Sequence, residues 1–367
     1  MTARPDSGSD SHDQRGAITL KEIRQQPELW PTTLERVASS DAHSLVQGRA
    51  SVICGAGTSA YAASAVAATW MNSVAIPTTD LLTFSSGELA HLAPGFASNG
   101  VLVSLGRSGE SPESVGVIAR MKQMCPNVVH LAITCNEQGQ LARFSGVRAL
   151  ILDPRTNDRS LVMTGSFSNL LLAGMAIACG AFLTKHLPGI VATVNNSFAG
   201  LERVAQRLAS QSSSRLMVLT SAGLVPLAKE ASLKVLEMTA GRTVSMNETF
   251  LGVRHGPMSF LRPDSLVLCV LSSDAERRRF EEDVLRELRQ KKLGHVIVIG
   301  SKDSDSELGH DFIPAMAPDL PDDLRAPFEI VFPQLLAYHL SLASHLDPDN
   351  PSPDGVITRV VQRFQLH

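Results

Sequence analysis

Apolar and polar positions alternate in blocks along this chain. "SVIC" (51–54), "VLVSL" (101–105) and "VVHLAIT" (128–134) are short apolar runs of strand length. Stretches such as "TSAYAASAVAATWM" (58–71) follow them with apolar positions at helical spacing. The order then returns. "SRLMVLTSAGLVPLAKEASLKVLEM" (214–238) repeats the run, small-residue turn and helical pattern of "RASVICGAGTSAYAASAVAATWM" (49–71). "LVLCVL" (266–271) and "HVIVIG" (295–300) match the second and third runs, all at an offset of about 165 residues. Such runs separated by helical patterns predict parallel strands with helices on both faces, here two doubly wound α/β units of about five strands each.

Before them, "TLKEIRQQPELWPTTLERV" (19–37) predicts an N-terminal helical arm, broken in two near Pro27 because proline disfavours helix at the residue before it. The expected organisation is a disordered tail over 1–17, the arm over 18–48, a first unit over 49–195, a second over 196–350 and a C-terminal tail over 351–367. The opening 16 residues are polar and have no apolar core of a signal peptide. "FSNLLLAGMAIACGAFL" (167–183) is the most lipid-like stretch, but it is shorter than a span of about 20 residues and contains Ser168 and Asn169. A buried core helix is the expectation.

Composition changes this picture little. The chain is 367 residues long and 44% hydrophobic, ample for sizeable cores, and its net charge of −3 argues against a nucleic-acid partner. "ERRRFEEDVLRELRQKK" (276–292) is charged, but its signs alternate as on a solvated helix face. None of the five cysteines forms a C-x-x-C pair, and four lie in or beside apolar runs. Reduced, mostly buried thiols and a cytoplasmic location follow as expectations.

In open α/β sheets ligands sit beyond the carboxyl ends of the strands, so the strand-exit loops matter most. "GAGTSA" (55–60) follows the first run and "SLGRSGES" (104–111) the second. Gly57 lets backbone approach a ligand, while Thr58, Ser59, Ser108 and Ser111 offer hydroxyls beside bare amides at a helix start. Two such loops side by side suit a phosphate monoester, although serine and glycine also serve simply as caps and turns. No P-loop motif is present, and "GAGTSA" lacks the third glycine of a dinucleotide fingerprint. The matching exit of the second unit, "LCVLSSDAERRRF" (268–280), has no glycine. One unit is expected to bind phosphate and the other to do different work.

In the second unit, Glu230, Lys234 and Glu237 share one helical face. Spacing alone reads as a surface salt-bridge stripe. The helix opens from a strand exit, however, and a carboxylate there could act as a general base. "RHGP" sets His255 against a Gly-Pro turn, in a loop where imidazole could shuttle protons. His339 lies in an apolar helix and reads as a packed, hydrogen-bonded core residue. No H-E-x-x-H motif or paired His/Cys cluster suggests a metal, and no cofactor is expected.

Together "GAGTSA", "GRSGES", "KEASLKVLE", "RHGP" and "FPQLLAYHLSL" resemble the tandem sugar-isomerase (SIS) proteins, and "KEIRQQPELW" resembles the opening of their AgaS-type amino-sugar-phosphate deaminases/isomerases. The resemblance covers nearly the whole chain after about residue 18. It implies three-layer αβα, flavodoxin-like domains and no cofactor. It extends to the isomerase half of glucosamine-6-phosphate synthase, without the glutaminase half. It implies phosphate contacts from Gly57, Thr58, Ser59, Ser108 and Ser111, with Arg107 adding charge because Gly106 replaces the first serine of the family's S-x-S loop. It implies proton transfer by Glu237, supported by Glu230 and Lys234, and ring opening by His255 from a partner subunit. A homodimer or larger homo-oligomer, with the site at its interface, is therefore expected. The synthase's catalytic lysine has no equivalent in "PDNPSPDGVITRVV" (348–361).

The implied reaction converts galactosamine 6-phosphate to tagatose 6-phosphate and ammonia. Alternatives are a glucosamine-6-phosphate deaminase, a simple ketose/aldose 6-phosphate isomerase, and a sugar-phosphate-sensing regulator. The regulator would call for a helix-turn-helix and a basic patch, and the sequence has neither. No nucleic acid and no membrane is expected as partner.

Overall fold

The computed structural model describes residues 15–211, 213–301 and 303–361. The tail expected over 1–17 therefore lies almost wholly outside the described residues.

Two five-stranded sheets, parallel throughout, form the frame. The first contains β1 (Ser51–Cys54), β2 (Ser73–Ala75), β3 (Val101–Gly106), β4 (Val129–Thr134) and β5 (Val147–Ile151) in the order β2-β1-β3-β4-β5. The second contains β6 (Arg215–Thr220), β7 (Val244–Thr249), β8 (Leu266–Val270), β9 (His295–Gly300) and β10 (Asp311–Pro314) in the order β7-β6-β8-β9-β10. The two orders are the same, and the repeat is exact in register: Ser51 pairs with Val101 in one sheet and Leu216 with Leu266 in the other, each position moved by 165. The inner strands are largely apolar and buried along nearly their whole length because helices cover both faces. Each sheet reverses its strand order between its first and third strands, which opens a crevice at their carboxyl ends.

The arm opens with two helices, α1 (Ala17–Arg24) and α2 (Gln26–Ala38), with Pro27 in the first turn of α2, where its missing N–H costs nothing. Trp30 of α2 is fully buried and donates its indole N–H to Ser168 Oγ at 3.1 Å, while Thr33 donates to Asn169 Oδ1 at 2.6 Å. The polar residues that argued against a lipid span thus find partners in the arm. Their helix, α5 (Gly165–Ala209), carries the chain from one sheet to the other, and the expected boundary at 195/196 falls inside it. It is the one described helix long and apolar enough to cross a membrane, but 67% of that apolar window is buried inside the protein. Truncating Trp30 to alanine would cost about 3–5 kcal/mol, since it fills the space between α2, α5 and Phe328.

The helices that follow β1 and β6 complete the frame: α3 (Thr58–Thr69) and α6 (Val225–Met238), which pack on each other. Alanine-rich α3 allows the close approach. The charged stretch 276–292 forms α7 (Ala275–Gln290), and it is not wholly solvated as expected: Arg278 and Glu281 are buried on the face against the sheet. All five cysteines are free, and four are buried.

Candidate active site

The β1 exit turns sharply into α3. Gly57 has φ +56, in the left-handed region that glycine adopts without strain. A Cβ on Gly55 would lie 2.4 Å from the backbone of Ser59, so the turn closes only around glycine. This places Thr58 at the first position of α3, its side chain buried and aimed at α6.

There it meets the charged face of α6. Lys234 Nζ donates to Thr58 Oγ1 at 2.9 Å and to Glu237 Oε2 at 2.6 Å, and lies 3.3 Å from Glu230 Oε1. Thr58 Oγ1 in turn donates to Glu230 Oε1 at 3.3 Å. Lys234 and Glu230 are completely buried, whereas Glu237 is 25% exposed and reaches the cavity beyond. The stripe that spacing assigns to solvent is therefore an internal bridge between the two units. Burial lifts the Glu230 carboxyl to about 7, against the pull of Lys234. Burial also works against the charge of Lys234, but the two carboxylates outweigh it and hold the ammonium above its ordinary range. Tyr61, one turn along α3, has its hydroxyl pushed up by burial and by the same carboxylates.

A cavity of about 680 Å³ opens beside Glu237, large enough for a hexose phosphate. Gly57, Thr58, Arg107 and Glu237 line it, so four of the expected site residues meet there. Ser59 is buried behind Thr58, and Ser59, Ser108 and Ser111 do not line the cavity. Ser108 Oγ accepts from the N–H of Glu110 at 3.3 Å. Ser111 caps α4 (Pro112–Met124) and shares a 2.7 Å hydrogen bond with Ser114.

The charge expected from Arg107 is engaged within the protein. Its guanidinium donates to the carbonyl oxygens of Ser160 and Leu161 at 3.4 and 3.0 Å, and to that of Arg359. Arg359 then donates to Asp158 O and to Asn157 Oδ1. These bonds fasten residues 355–361 across the cavity mouth, a contribution the sequence did not reveal. Asp158 lies beneath, fully buried, accepting from the N–H groups of Thr164 and Ser166 at 2.7 and 2.8 Å where α5 begins.

His255 stands elsewhere. It ends a short 3-10 turn (Gly252–His255), is exposed, and does not line the cavity of its own chain. His339 is half-buried and its Nε2 has no partner among the described residues, unlike the hydrogen-bonded core histidine expected.

No protein-family model matches the chain. Full-length relatives do. The AgaS sequence of Streptomyces coelicolor is 35% identical over 391 aligned positions, covering 100% of this chain and 99% of its own. The D-galactosamine-6-phosphate deaminase AgaS of Shewanella sp. is 32% identical, covering 96% of this chain and 93% of its own. The solved tagatose-6-phosphate ketose/aldose isomerase of Escherichia coli superposes with a TM-score of 0.82 at 30% identity, covering 94% and 96% of the two chains.

Proposed function

The chain belongs to the AgaS family of tandem SIS-domain enzymes, and from that premise we propose that it deaminates and isomerises galactosamine 6-phosphate to tagatose 6-phosphate. One observation carries the reading: the buried Lys234 joins the β1 exit loop of one unit to Glu237 of the other, at the wall of a single cavity. The sugar phosphate sits with its anionic end at the Gly57–Thr58 turn and its C1–C2 end toward Glu237.

The chemistry balances simply. The open-chain amino sugar loses its C2 proton to the Glu237 carboxylate, giving the enaminol. Glu237 returns the proton at C1, leaving a C2 imine. Water adds to the imine and ammonia leaves, so one water is consumed for each ketose phosphate formed. Lys234 holds the Glu237 carboxylate in place through their 2.6 Å hydrogen bond. Proton transfer of this kind supplies about 10²–10⁴-fold, and positioning by the phosphate supplies much of the remainder. Arg107 acts by anchoring residues 355–361 over the sugar rather than by touching phosphate.

Ring opening falls to His255 of a second copy, which is why the exposed histidine makes no contact with its own cavity. This reading makes the enzyme a homo-oligomer, and its free thiols fit a cytoplasmic setting. The test is ammonia release from galactosamine and glucosamine 6-phosphates, alongside isomerisation of tagatose 6-phosphate. Glu237→Gln should keep sugar-phosphate binding and lose at least two orders of magnitude in turnover. Unchanged turnover removes Glu237 from the mechanism, and isomerisation without ammonia favours the simple isomerase.

A further inference from the structure

The second sheet has a crevice of its own, and it is occupied by the chain. The shared register makes the correspondence explicit. Ser51 and Val101 correspond to Leu216 and Leu266, so Arg107 and Ser108 correspond to Ser272 and Ser273, and Thr58 to Gly223. At Ser272 and Ser273, just past β8, lies the carboxylate of Asp322, which begins α8 (Asp322–Glu329).

The carboxylate is 6% exposed and surrounded by donors. Oδ1 accepts from the Ser273 N–H at 2.8 Å, Ser273 Oγ at 3.0 Å and Arg325 at 3.2 Å. Oδ2 accepts from Ser272 Oγ and from Arg277 at 2.8 Å. Two guanidiniums, two hydroxyls and a backbone amide converge on one anion, as they would on a bound oxyanion. The other exit is shaped to match. A Cβ on Gly223 would lie 2.8 Å from Asp323 N, so the bare glycine, standing where the first unit has Thr58, admits the start of α8.

We infer that the β6/β8 crevice is a second oxyanion cradle, built at the positions equivalent to those of the first sheet and filled permanently by Asp322. Once Asp322 is removed, the cradle takes inorganic phosphate. The hydrogen bonds from Ser272 and Ser273, with Arg325 nearby, hold this carboxyl below its ordinary range despite the opposing effect of burial. It is therefore a permanent anion at neutral pH. Glu281, which accepts from the Ser272 N–H at 2.8 Å, and Glu329, which takes the other face of Arg325, bound the cradle and keep its affinity for a dianion low. One consequence is that each chain offers one sugar-phosphate site, although it carries two matching crevices. That stoichiometry rests on the reading of the first sheet given above. The cradle itself does not, because it is measured as the difference between variant and wild type.

The experiment compares full-length wild type, Asp322→Ala and Asp322→Asn by thermal denaturation against inorganic phosphate, with chloride at matched ionic strength and acetate as a smaller anion. Asp322→Ala is expected to melt lower and to recover with phosphate, saturably and beyond any gain in wild type. Adding Arg277→Ala should abolish that extra gain. Should Asp322→Ala fail to fold, Asp322→Asn decides by the same reading. Phosphate gains in the variants no larger than in wild type overturn the inference. So does rescue by acetate alone, which would make the site a hole for one carboxylate. Loss of phosphate response in wild type, with the extra gain intact in the variants, counts against the first-sheet reading and not against this one.

Discussion

Replacing Lys234 by methionine keeps the reach of the side chain and removes its charge. The ammonium is fully buried between Glu230, Glu237 and Thr58. Deleting one member of a buried ion pair costs about 3–5 kcal/mol when the orphaned charge stays. Here it need not stay, because the carboxyl of Glu230 already stands at about 7 rather than its ordinary 4.5. The sign follows from proton binding. A carboxyl raised on folding binds more protons in the native state, so its stabilising contribution is complete below about 4.5 and declines as pH rises to about 7. Without Lys234 the folded value rises further, and the decline continues to higher pH. Each pH unit is worth about 1.36 kcal/mol, so the penalty of Lys234→Met should grow by about 2 kcal/mol between pH 7 and 8.5. Urea midpoints across that range measure it, with the buried Trp30 and Trp70 as fluorescent reporters. The double variant Lys234→Met/Glu230→Gln should lose the pH dependence. A penalty that is flat from pH 6 to 8.5, or that shrinks, refutes the account of a buried carboxyl whose rise its lysine restrains.

His130 on β4 is 4% exposed, and neither ring nitrogen has a partner among the described residues. Burial, and then Lys122, lowers its imidazole from 6.5 to about 4. The unfolded chain takes up a proton that the fold refuses, so stability is complete above about 6.5 and falls toward pH 4 by up to about 3 kcal/mol. His130→Leu should flatten that acid limb, as urea midpoints at pH 7 and pH 5 will show. Gly55→Ala forces a Cβ against the Ser59 backbone and should cost about 1–3 kcal/mol. Its KM for the sugar phosphate should rise more than its kcat falls, because the start of α3 shifts while Glu237 stays.

The architecture was legible because burial on both faces of a parallel sheet writes itself as apolar runs, and a duplicated unit writes them twice. Gly57 and Thr58 were legible for a related reason, since a sharp strand-to-helix turn demands small residues. Other features left weaker signals. Glu230, Lys234 and Glu237 have the spacing of a solvated stripe, and only the packing of α6 on α3 turns that face inward. Residues 355–361 read as a tail because the carbonyls that fasten them belong to every residue type alike. Nothing in "PDLPDDLR" (318–325) distinguishes the aspartate that fills a crevice from the aspartates around it.

Buried charges are poor stabilisers of a fold, since removal from water offsets most of their attraction. Two of the buried clusters here, one at the β1 exit and one at the β8 exit, differ in a way that suggests a division of labour. Around Asp322 the chain supplies both the anion and its donors, so that crevice is complete and closed. At Thr58 the Glu230 and Glu237 carboxylates are already matched by Lys234, and a cavity of about 680 Å³ lies open beside them. The helix following the filled unit's first strand, α6, then has no ligand of its own to serve. Its charged face can instead turn across the junction, where Lys234 meets Thr58 and leaves the Glu237 carboxylate at the cavity wall. The duplication supplies a second helix, whose Glu237 lines the same cavity as Gly57 and Thr58, and the self-filled cradle holds the unit that carries it.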